Sequence, residues 1–137
     1  MAIDCIDEIP GAAELRDWFG GFPSFHDAHM EFEIRSDGTG QLRAYGWRMT
    51  GKIDEKGYFI LDKHFAATFH FEELLSASMT DFLPGMAILG ELVISKEGDA
   101  FKVDFGDTAY GVSGFIVGRK LRLVYEPGRK APTTSPS

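Results

Sequence analysis

One cysteine in 137 residues, Cys5, leaves no internal disulfide to form and matches the usage of a reducing compartment. Cys5 stands close to Asp4 and Asp7, whose charges disfavour the thiolate that a nucleophile needs. Long apolar runs are missing too: none approaches the roughly 20 residues that cross a bilayer. The first residues are acidic rather than basic-then-apolar, which is not the order of a signal peptide. The expectation is therefore a cytoplasmic protein with no membrane partner. Positive charge is scarce, with 14 Lys and Arg against 21 Asp and Glu and a formal net charge of -7. Phosphate backbones are held by a cationic face, so nucleic acid is not an expected partner. Helical periodicity is nearly absent. No segment between the extended stretches is long enough for a crossover helix, which excludes a parallel βαβ fold.

What is present is a globular core in alternating segments. A hydrophobic content of 44% and a charged content of 26% are ordinary for one folded domain, and twelve Phe residues supply its volume. A chain of this length buries roughly two-thirds of the surface it exposes unfolded. Ala12, Leu15, Trp18 and Phe19 recur at helical spacing, and Gly20-Gly21 follows as a stop, so residues 10–19 are predicted as a short helix. Ala28, Met30, Phe32 and Ile34 then alternate with His29, Glu31, Glu33 and Arg35, the period of a half-buried strand. Ser36 to Gly40 reads as a hairpin turn into a second strand, and Asp54-Glu55-Lys56-Gly57 as a turn into Tyr58–Leu61. Phe65, Ala67, Phe69 and Phe71 alternate cleanly, and Leu74 to Thr80 reads as a separate, weaker strand. Ile88, Leu92 and Ile94 define another. Lys96 to Asp99 turns the chain into Phe101-Val103-Phe105, and Gly118-Arg119 reads as a two-residue hairpin between Tyr110–Val117 and Leu121–Tyr125. The sum is an all-β fold with one short helix: an antiparallel sandwich or open barrel of seven to eight strands. Residues 10–127 are expected as a single domain, 1–9 as a mobile acidic leader and 128–137 as a disordered tail.

Charge is unevenly placed. Residues 1–35 carry eight acids against Arg16 and Arg35, whereas Arg119, Lys120, Arg122, Arg129 and Lys130 oppose only Glu126 beyond residue 118. The basic end reads as a solvated strand and tail, with contact to an anion as the minority view. An acidic surface built on His29, Glu31 and Glu33 would suit a basic protein partner.

The densest chemistry is Phe22-Pro23-Ser24-Phe25-His26-Asp27-Ala28-His29, where helix gives way to strand. His26, Asp27 and His29 have donors that suit zinc or iron, but on a strand His26 and His29 face opposite ways. His64 and His70 are about 20 Å apart along an extended chain, too far to share an ion. Ser24 with His26 and Asp27 would need an unusual bend to form a triad. His26 and Asp27 acting as an acid–base pair on a ligand beside Trp18 and Phe25 stays open, as does an apolar ligand cleft near Trp18, Trp47 and Phe25. The favoured reading is structural: Phe22, Pro23, Phe25, His26 and Asp27 form a clasp, with Asp27 accepting bonds from backbone amides at the corner. No catalytic residue, metal or cofactor is expected. The glycines of Gly106 to Gly114 lack phosphate-loop spacing and read as sites of sheet coiling.

Phe22 to His29 resembles the F/W-P-S-F-H-D-A-E opening of a family of small bacterial β-rich proteins, with His29 where that family has Glu. Tyr110-Gly111-Val112-Ser113-Gly114-Phe115 is similar to the family's closing Y-G-x-S-G-x-F strand, with Phe one place early, and Val124-Tyr125-Glu126-Pro127 to its acidic-Pro ending. Phe69 to Leu74 resembles its R-F-x-x-V-x-x-L strand. The family resembles the immunity proteins of polymorphic toxin systems. The resemblance implies a non-enzymatic cytoplasmic protein that neutralises a toxin domain by binding it, and it brings no catalytic residues.

Overall fold

The computed structural model of the chain describes residues 6–23, 25, 28–80, 92–105 and 113–129, without the side chains of 49, 50, 59–61, 79, 80 and 113. A 3-10 turn, Ile6–Glu8, precedes helix α1, Ala12–Phe19. Among the described residues six strands follow: β1 His29–Ile34, β2 Gly40–Ile53, β3 Phe59–Thr80, β4 Leu92–Glu97, β5 Ala100–Phe105 and β6 Ser113–Pro127. They form one antiparallel sheet in the order β1-β2-β3-β6-β5-β4, open rather than closed into a barrel.

Alternation assigns the two sides of this sheet. Leu42 pairs with Phe69, and Phe69 with Leu123, so these apolar side chains line one side; Phe71 and Leu121 do the same one step along. On β5 and β4, Val103 and Phe105 face Ile94 and Leu92. All of these are buried. Helix α1 lies over that side, its Ala12 and Leu15 fully buried and its Trp18 and Phe19 rings edge-on to Phe65 at 6.0 and 5.3 Å. The helix ends where the sequence stops it: Gly20, with φ 91°, caps it in the left-handed region and donates to the Arg16 carbonyl.

Three expected strands, Tyr58–Leu61, Phe65–Phe71 and Leu74–Thr80, are one strand, β3. It absorbs the breaks as bulges. Lys63 and Glu73 take left-handed φ values of 49° and 54°, and the register slips between Gly46 and Arg48 on β2 and between Leu74 and Ser76 on β3 itself. The left-handed Glu73 breaks the alternation, and Phe71 and Leu74, three apart, pack on the same side. The predicted hairpin at Gly118-Arg119 is likewise absent, because β6 runs straight through it. Gly118 is there for closeness. A Cβ at that position would lie 3.2 Å from both the Glu72 carbonyl oxygen and Phe71 Cδ1.

The stretch expected as a leader is packed at its end: Ile6 and Ile9 are buried in the core, and only residues 1–5 of it lie outside the described residues. Its path crosses β6 beyond the end of β5. Leu123 donates its backbone N–H to the Pro10 carbonyl at 2.8 Å, and Gly11 approaches so closely that a Cβ would lie 1.8 Å from the Leu123 oxygen. Only glycine, here at φ 90°, fits that crossing. Residues 130–137 of the expected tail and the predicted strand residue Ile88 are outside the described set.

Candidate functional site

The helix-to-strand corner divides between what is described and what is not. Ser24, His26 and Asp27, and with them the triad, metal and acid–base readings, lie outside the described residues, as do Tyr110, Gly111 and Val112. The apolar half of the motif is in place. Pro23 is buried and Phe22 partly so. Phe25 is buried and meets Phe22, Phe65 and Phe69 edge-to-face at 6.0, 5.8 and 5.7 Å. Its φ of 61° is left-handed, a conformation that costs a bulky residue about 1–2 kcal/mol. Aromatic pairs of this geometry contribute about 0.5–1.5 kcal/mol each beyond burial, enough to offset that strain. Ala28 donates its N–H back to the Phe25 carbonyl at 3.0 Å and completes the turn into β1. Phe25 thus anchors the corner as a plug in the core. Trp18, Phe19 and Phe25 all close on Phe65, so these rings fill the space between helix and sheet with one another.

The other side of the sheet is polar and open. β1 presents His29, Glu31 and Glu33, all exposed as expected. Two of the three are engaged by neighbours. Tyr45 donates its hydroxyl to Glu31 at 3.3 Å, and Arg35 donates to Glu33 at 3.0 Å. Burial first, and then the Glu31 charge, hold the Tyr45 phenol above its ordinary pKa. On β2, Arg43 reaches over β3 to form an ion pair with Glu126 on β6. The span is possible because the β3 residues beneath it, Ala66 and Thr68, are small and buried. The Arg43 guanidinium also lies 5.5 Å from the Tyr45 ring centre.

Farther across, the sign of the surface changes. His70 on β3 pairs with Gln41 on one side and Arg122 on the other. Its imidazole is held below the ordinary pKa of 6.5 by burial first, then by the charges of Arg122, Arg35 and Arg43. Beside it opens a groove of about 330 Å³, lined by Glu8, Pro10, His70, Glu72, Phe101, Arg119, Lys120, Leu121 and Arg122. Sequence reading did not assemble this groove, because its walls come from four separate parts of the chain. Its one signal was the run Arg119-Lys120-Arg122 in an otherwise acidic protein.

Among the described residues, no three of His, Cys, Asp and Glu are grouped to hold a metal ion. No described helix is long and apolar enough to cross a membrane. Comparisons with protein-family models, curated proteins and solved structures find no match.

Proposed function

We propose that the chain is a non-enzymatic bacterial binding protein of the immunity type, which neutralises a toxin domain in the cytoplasm by covering its surface. The observation that carries this reading is the acidic margin of the open face: Glu31 and Glu33 stand exposed and in register on β1, fixed by a hydrogen-bonded ladder to β2. Side chains on a rigid ladder bind without a large ordering cost. Carboxylates so placed favour a basic partner surface, and complementary charge acts mainly on encounter rate and on partner choice. The resemblance of Phe22 to His29 to the opening motif of an immunity-like family supports the same reading. In it, Phe25 keeps β1 at its angle to the core, and His29, Glu31 and Glu33 meet the toxin.

The experiment is direct binding of the purified chain to a toxin domain encoded beside it. A tight one-to-one complex is expected, with Glu31→Lys/Glu33→Lys slowing association at least about tenfold at low salt and less at high salt. Absence of any complex overturns the reading. A complex indifferent to both substitutions and to salt overturns the assigned face.

A further inference from the structure

The groove beside His70 has a composition that the toxin reading does not use. Its lining joins the buried Phe101 and Leu121 and the exposed Pro10 to the cations Arg119, Lys120 and Arg122. A volume of about 330 Å³ matches the lower range of clefts that hold small organic molecules, which are apolar with a few placed polar groups. We propose that this groove binds an organic anion, an apolar body with one carboxylate or phosphate head, with Arg122 holding the head and the apolar lining residues Pro10, Phe101 and Leu121 touching the body.

The partners of the surrounding charges single out Arg122. Glu8, one of the two carboxylates on the rim, is ion-paired with Lys96. Lys120 reaches Glu73 at 3.2 Å, and Arg119 lies 3.6 Å from Asp99. Glu72, the second carboxylate, faces Lys120 across the β3–β6 ladder. Arg122 has no carboxylate within ion-pairing distance among the described residues, and its planar fork matches carboxylate and phosphate oxygens. Arg122 on β6, Arg43 on β2 and Arg35 just past β1 surround His70, whose pKa is lowered by burial first and then by their charges, while Glu72 on β3 lines the same groove. An anion seated at Arg122 would offset that repulsion. His70 would then bind its proton more readily, and by linkage the anion would bind more tightly as the pH falls.

This site does not rest on the toxin reading. Three strand spacings, about 14 Å, separate β6 from the acidic β1. The test uses the full chain with phenyl phosphate, benzoate, inorganic phosphate and phenol, followed by calorimetry and by the His70 ring resonances. Phenyl phosphate or benzoate is expected to saturate, to raise the His70 pKa and to bind at least about tenfold more tightly than inorganic phosphate or phenol alone; whichever of the two is tighter names the head group. Arg122→Gln should weaken binding about tenfold or more, the scale of one lost charged hydrogen bond. Arg129→Gln, at an exposed cation away from the groove, should leave it unchanged. Equal binding of inorganic phosphate and phenyl phosphate, equal loss in both variants, or no response of His70 to any of the four probes overturns the proposal.

Discussion

The two sides of this sheet obey different rules. The side under α1 is nearly all aromatic and aliphatic, and its residues are specified by packing: Phe65 touches the rings of Trp18, Phe19 and Phe25, and Phe69 touches Phe25. The open side is specified by charge, with Glu31 and Glu33 at one margin, Arg43 bridging to Glu126 in the middle, and Arg122 beside a groove at the other margin. The difference teaches where each kind of information resides. Packing depends little on solution conditions, whereas the charged groups of the open side are the ones that pH and salt act on. Both proposed binding sites draw on the second side, where a residue's interactions can change when something binds.

The sharpest way to test that division is to remove volume from the packed side. Phe65→Ala should cost about 3–5 kcal/mol in chemical denaturation, the range for truncating a buried aromatic, because α1 and the Phe25 corner lose their shared contact. A loss below 1 kcal/mol would mean that the aromatic cluster does not hold the helix. Gly11→Ala comes next. It should cost about 1–3 kcal/mol through the left-handed backbone alone, with further loss from the clash with the Leu123 oxygen, again read by denaturant midpoint. The smallest effect belongs to the open side. With its folded pKa below the ordinary 6.5, His70 binds a proton less well in the folded protein than in the unfolded chain. Stability should therefore fall as the pH drops below 6.5 toward the folded value and level off beneath it. His70→Gln should remove that part of the slope; an unaltered stability profile between pH 5 and 8 would show that neither burial nor the surrounding arginines act on it.

Much of the packed side was legible in the residues, since Phe65, Ala67, Phe69 and Phe71 alternate without interruption and Gly20-Gly21 ends the helix in place. Strand boundaries were harder. Lys63 and Glu73 look like interruptions because alternation changes phase there, yet each is a left-handed residue within a continuous strand, and residue type alone does not distinguish such a kink from an end. Gly118 deceived in the opposite way: next to Arg119 it resembles a hairpin, and the structure uses its missing side chain to let Phe71 and Leu74 close in. The exposed acids of β1 followed from alternation alone. The groove did not, for Glu8, His70, Phe101 and Arg122 are brought together only by the strand order, which reverses between β3 and β6 and which no local pattern announces.

The Pro10 carbonyl that receives the Leu123 amide has a consequence for the crowded cell. Past the first residues of β5, the backbone of β6 would otherwise offer bare donors and acceptors on which another chain's strand could template itself. The strap from residues 9–11 occupies part of that stretch, and Pro10, lacking an amide hydrogen, offers an incoming strand no donor in return. Runaway stacking of copies through this margin is thereby discouraged by the strap at the start of the fold.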